Sequence, residues 1–98
     1  MKKTNRSVSG TSFHDVTIKT SIKALKAVLG EPTYIGDPIK DKVQVEWICE
    51  TQEGNVVTIY DWKEYRILFQ SEEVEFHIGG FTYFDTLDAK NELIKLLN

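Results

Sequence analysis

Val43-Gln44-Val45-Glu46-Trp47-Ile48-Cys49-Glu50 alternates between two faces. Val43, Val45, Trp47 and Cys49 point one way and Gln44, Glu46, Ile48 and Glu50 the other, which is the period of a strand with one buried side. Gln52-Glu53-Gly54-Asn55 follows as a hairpin turn in which Gly54 is free to take positive φ. Residues 56–60 then form the returning strand. Residues 61–64 turn the chain again, and residues 65–70 read as the next strand. After the turn Ser71-Glu72-Glu73, the residues Val74, Phe76 and Ile78 supply the inner face of another strand, closed by Gly79-Gly80. Consecutive strands joined by short turns favour an antiparallel meander.

Two helices flank this run. Ile22, Leu25, Val28 and Leu29 recur at helical spacing, with Lys23 and Lys26 facing water. Thr20 or Ser21 can cap that helix, Gly30 supplies its left-handed C-terminal position, and Pro32 prevents continuation. Residues 31–41, with Pro32, Gly36, Asp37 and Pro38, form a loop. The last helix begins at Asp85 or Thr86. Its buried stripe is expected to be Leu87, Ile94 and Leu97, broadened by Leu93 and Leu96. Before the first helix, Phe13, Val16 and Ile18 suggest a short strand with Asp15, Thr17 and Lys19 on its other face. Residues 1–10 read as a flexible arm, leaving residues 11–98 as a single domain. The expected fold class is α+β: a four- to five-stranded antiparallel meander with two helices on one face, in the order β-α-β-β-β-β-α. Ile48, Leu68 and one register of Val56, Thr58 and Tyr60 leave a mixed apolar stripe on the outer face, to be covered by the arm or by another copy of the chain.

Ninety-eight residues bury one modest core and no deep interdomain cleft. Hydrophobic residues make up 41% and charged residues 28%, a globular balance that excludes wholesale disorder. The net charge is −3; setting aside Lys2, Lys3 and Arg6 leaves the body at −6. A direct nucleic-acid binder needs the opposite balance over its contact face, so none is expected. Cys49 is alone, which excludes an internal disulfide and a cysteine-based zinc site. No apolar stretch follows the basic start, and none approaches a membrane span, so the expected location is the cytoplasm with no membrane contact.

The segment Tyr60-Asp61-Trp62-Lys63-Glu64-Tyr65-Arg66 brings aromatic faces and cations onto one turn. Trp62 and Tyr65 can stack on a base or a partner's ring, while Lys63 and Arg66 can meet phosphates or carboxylates. The alternative is that Trp62 folds back over the sheet edge while Asp61 caps the turn. His77 shares a face with Glu75, but no third ligand is visible, so neither a metal site nor a catalytic group is assigned. Gly79-Gly80 can bring backbone N–H groups toward a phosphate, although the glycine-rich nucleotide fingerprints are incomplete. Cys49 reads as a small core hydrophobe.

Ile59-Tyr60-Asp61-Trp62-Lys63-Glu64-Tyr65, followed by Phe76-His77-Ile78-Gly79-Gly80, resembles small proteins of bacteriophages and prophages. Gly10-Thr11-Ser12-Phe13 and the helix end Leu29-Gly30-x-Pro32 extend the likeness over nearly the whole chain. It implies an accessory product that counteracts host antiviral defence in the host cytoplasm. On that reading the chain is not an enzyme and carries no cofactor. The likeness transfers no site residues; from the chemistry of the residues themselves, a small nucleotide-like signal is expected to be sequestered by Trp62, Lys63, Tyr65, Arg66, His77, Gly79 and Gly80, at the interface of a homo-oligomer. The alternative is a protein–protein inhibitor that docks an acidic surface on a host defence effector.

Overall fold

A computed structural model of the chain describes residues 1–98. Eight elements follow one another: β1 (Lys2–Lys3), β2 (Ser12–Thr20), α1 (Ile22–Leu29), β3 (Tyr34–Ile35), β4 (Val45–Glu50), β5 (Val56–Tyr60), β6 (Val74–Gly80) and α2 (Tyr83–Leu97). One antiparallel sheet is ordered β1-β4-β5-β6-β2, with β3 also paired to β4. The fold is α+β. Strands β4, β5 and β6 form the expected meander, and β2 is added beyond β6.

The register Trp47↔Ile59 and Ile59↔Ile78 places three large side chains on one face. All three are fully buried, together with Phe76, Cys49 and Val57. Trp47 meets Phe76 edge-on at 6.2 Å. α1 closes this core with Ile22, Leu25 and Leu29. Ser21 caps it by accepting the Ala24 N–H, and Gly30, at φ 85, donates its N–H to the Lys26 carbonyl. The Trp47 indole N–H then donates to the Gly30 carbonyl at 2.9 Å, joining helix end to sheet. Burial pushes the Cys49 thiol up to about 11, which keeps it protonated and unreactive.

Four expectations need correction. Residues 65–70 are not a strand: only Leu68 turns into the core, and no other strand lies alongside. Leu68 is therefore also absent from the outer face. Second, Gly79 and Gly80 close β6 as its last two residues, paired to β5 and β2, rather than forming a turn beyond it. α2 consequently starts at Tyr83, capped by Thr82, whose hydroxyl accepts the Asp85 N–H. Its buried residues are Thr86, Ala89 and Leu93, while Ile94 and Leu96 are exposed. The physical reason is proximity: a Cβ at Gly80 would sit 3.0 Å from the Thr86 methyl, so this helix packs close through small residues.

Third, the first residues are not a loose arm. Lys2 and Lys3 pair with Glu50 and Cys49, and the Thr4 N–H donates to the Ile48 carbonyl. Arg6 then reaches Glu50 and the Gly54 carbonyl over the outer face, where Val56 and Thr58 are buried. Fourth, Phe13 does not face the core with Val16 and Ile18. It pairs with Gly79 and stands on the outer face with Thr17, which pairs with His77.

Asp61 ties down the end of the β4–β5 hairpin. Its side chain is fully buried, and Oδ1 accepts the N–H groups of Gln44 at 2.8 Å and Val45 at 3.0 Å. The Lys63 N–H donates to the Lys42 carbonyl beside it. Replacing Asp61 by Ala strips two amides of a charged acceptor, so we expect Asp61→Ala to lower unfolding free energy by about 2–4 kcal/mol, read from denaturant melts.

Candidate functional site

Next to the buried row runs an outward one. Glu46 on β4 pairs with Tyr60 on β5, Tyr60 with His77 on β6, and His77 with Thr17 on β2. Strand alternation thus carries Tyr60 and His77 onto the face away from both helices. Between Phe13 and Thr17 the edge strand bulges, with Asp15 at φ 64. The bulge brings Phe13 beside His77, and the two rings stack at 4.0 Å with an interplanar angle of 12°. Opposite Phe13, Gly79 leaves space instead of a side chain. A Cβ there would lie 2.6 Å from Thr58 Oγ1 and 3.6 Å from the Tyr60 ring.

Trp62 completes the group. Asp61 anchors the chain just beyond β5, and Lys63 takes φ 55, a left-handed conformation that non-glycine residues adopt at some strain. The indole lies over His77 at 6.1 Å and 29° and meets Tyr60 edge-on at 6.2 Å. Tyr60 also meets His77 edge-on at 5.5 Å. The ammonium groups of Lys63 and Lys42 stand 5.5 Å and 6.0 Å from the indole centroid, within cation–π range. Trp62 remains 40% exposed and Phe13 38%. The result is a run of rings, Phe13–His77–Trp62, with lysines beside Trp62 and the carboxylates of Asp15 and Glu75 within electrostatic reach of the central His77.

Burial pushes the His77 imidazole below its ordinary 6.5, against the opposing pull of Glu75 and Asp15. Burial, then Glu46, raises the Tyr60 phenol, and burial raises the Glu46 carboxyl. No three His, Cys, Asp or Glu side chains converge as a metal cluster. The His77 ring is held by stacking between Phe13 and Trp62.

Of the residues singled out in the sequence, the structure brings Trp62, Lys63 and His77 together. Tyr65 is exposed at φ 51 and touches neither the Trp62 nor the His77 ring. Arg66 is engaged elsewhere: its Nη1 donates to both carboxylate oxygens of Glu72, at 2.9 and 3.1 Å. That pairing raises the guanidinium and lowers the Glu72 carboxyl. Gly79 and Gly80 are paired on both sides, to β5 and β2, so their backbones face neighbouring strands and form no phosphate cradle. Phe13, Tyr60 and Lys42 were missed. Simple alternation from Thr17 back to Phe13 puts both on one face, which was the available signal. Lys42 carries none, because the Lys42–Lys63 backbone bond depends on tertiary structure.

No protein-family model, curated protein or solved structure matches this chain significantly. No helix is long and apolar enough to cross a membrane.

Two measurements probe the site. In an NMR titration the His77 ring should protonate below pH 6.5. Since its folded pKa is depressed, its stabilising contribution is complete above the unfolded value and lost as pH falls through the folded one. His77→Phe should flatten that part of the stability–pH curve. Tyr65→Gly should raise unfolding free energy by about 1 kcal/mol by removing the left-handed strain at φ 51.

Proposed function

We propose that this chain is a non-enzymatic binding protein that captures a planar, anionic, nucleotide-like molecule on its aromatic face. One observation carries the reading: Trp62 is stacked on His77 at its inner side, half-open to solvent, and flanked by two ammonium groups within 6.0 Å. A base would stack on the indole, and Lys63 and Lys42 would pair with its phosphates. The low His77 pKa leaves the ring neutral at pH 7, so it supports the stack without competing for the anion. Arg66, held by Glu72, has no part in this reading, and the glycines act by leaving room.

The face is open. The depressions in the surface lie elsewhere, around Gln52 and Glu92. Tight capture therefore calls for a second copy to cover the ligand, which is why the site is placed at a subunit interface. The biological setting, sequestration of a host defence signal by a phage product in the host cytoplasm, follows from the phage-protein likeness of residues 59–65 and 76–80.

A second reading rests on the depression of about 260 Å³ between the β4–β5 turn and α2, lined by Glu53, Asp88 and Glu92 among other polar residues. Its acidic rim suits a basic partner protein, as a direct inhibitor of a host effector would need. Such a complex would be lost at high salt.

Nucleotide titration separates the two. Because Trp47 is fully buried, quenching of the exposed indole reports Trp62. A cyclic or ADP-ribose-type nucleotide should quench it, and Trp62→Ala should weaken calorimetric binding at least about tenfold, a stacking loss of 1–3 kcal/mol. Neither heat nor quenching across those nucleotides would rule the reading out.

A further inference from the structure

Tyr34 on β3, Glu46 on β4, Tyr60 on β5 and His77 on β6 are successive cross-strand partners, so the outward row crosses four strands. Glu46 is its one acidic member. Directly paired residues share a face and stand within contact range, which sets the Glu46 side chain between Tyr34 and Tyr60. It is half-buried there, and burial raises its carboxyl. The chain has four other half-buried glutamates, and each has a cation within 4.0 Å. Glu50 meets Lys2 and Arg6, Glu64 and Glu72 meet Arg66, and Glu92 meets the Met1 ammonium. Glu46 is the exception. It gives up part of its hydration with no cation in exchange, which costs a carboxylate free energy that a ligand's N–H groups can return.

Glu46 also stands apart from the lysines of the site. Lys42 comes four residues earlier, at most about 14 Å along the backbone, and Lys63 lies beyond the end of β5. Both ammonium groups gather on Trp62, and Tyr60 neighbours both that indole and Glu46. A nucleotide stacked on Trp62 with its phosphate at the lysines can therefore present the edge of its base to Glu46. A carboxylate repels phosphate, so what it selects is the pattern of donors on that edge. Its two oxygens accept two parallel N–H groups. Guanine alone among the common bases sets two donors side by side, N1–H and the N2 amino group. Adenine and cytosine place an acceptor beside their amino group, and uracil flanks its single N–H with two carbonyls.

We propose that Glu46 reads the base on the aromatic face, and that the ligand captured there is a guanine nucleotide. This inference rests on the nucleotide reading above and narrows it. Trp62 is the stacking platform, Lys42 and Lys63 hold the phosphate, and Glu46 accepts from N1–H and the N2 amino group. The same carboxylate opposes an adenine acceptor with a negative charge, so discrimination comes from repulsion as well as from bonding.

Calorimetric titration of the chain with 3′,5′-cyclic GMP, cyclic IMP and cyclic AMP tests it. The wild-type chain should bind cyclic GMP at least about tenfold more tightly than cyclic AMP. Cyclic IMP, which keeps N1–H and lacks the amino group, should fall between them. Glu46→Gln preserves the size of the side chain and turns one acceptor into a donor. It should abolish the guanine preference while cyclic AMP binding and the thermal melt of the free protein hold. Equal affinity of the wild-type chain for all three overturns the proposal and leaves nucleotide capture standing, as does binding of ADP-ribose-type nucleotides in preference to cyclic GMP. A guanine preference that survives Glu46→Gln overturns the role of Glu46. Absence of binding by any nucleotide removes this inference and the nucleotide reading together.

Discussion

The registers of β4, β5 and β6 set both the core and the candidate site. Trp47, Ile59 and Ile78 occupy one row, and their burial excludes a one-residue slip, because a slip would turn all three to solvent. The adjacent row, Glu46, Tyr60 and His77, is thereby turned outward. The aromatic face is thus a consequence of the core's register. α1, the Trp47–Gly30 hydrogen bond and the close approach of α2 over Gly80 all press on the same buried row from the other side. A substitution that weakened the inner row would disorder the outer one with it.

Beyond the sheet the chain relies on polar anchors. A loop of 13 residues separates β5 from β6, and a loop of that length needs its own reasons to stay in place. Asp61 supplies one at the start, Leu68 another in the middle, and Gln70 a third, its carbonyl accepting the Lys23 N–H at the head of α1. Asp61 is an expensive anchor, since its Oδ2 is buried without a partner. That arrangement, with positive φ at Lys63 and Tyr65, stores strain beside Trp62. Strain of this kind persists where surrounding contacts over-determine it, and here those contacts hold an indole over a histidine.

The β4–β5 hairpin, α1 with its Ser21 and Gly30 caps, and the inner face of β6 were legible because each is decided by local period and capping chemistry. Residues 65–70 misled for an instructive reason. In the fold only Leu68 turns in, Arg66 and Gln70 are exposed with the rest and Tyr65 takes φ 51, so the apparent period is broken; a strand also requires a neighbour, and sequence period carries no information about that. The phase of α2 was read only in part: Leu93 and Leu97 do reach the core, but Gly80 lets the helix sit so close that Thr86 and Ala89 fill the positions nearest the sheet. At the site, the aromatic-cationic turn was visible as composition. Of its partners, Phe13 was open to reading from the alternation back from Thr17, whereas Lys42 is joined by one backbone hydrogen bond that no local pattern encodes.

Charge placement sets the aromatic face apart from the rest of the surface. The chain is acidic overall, and Arg66, the one guanidinium in the turn, is already neutralised. Lys42 and Lys63 stand out against that background, and both gather on the same indole. The lysines stand by Trp62, while Asp15 and Glu75 act on His77, the middle ring of the run. Cations and carboxylates therefore share the aromatic face, and the acidic background of the chain lacks the extended basic track that a continuous nucleic-acid strand requires.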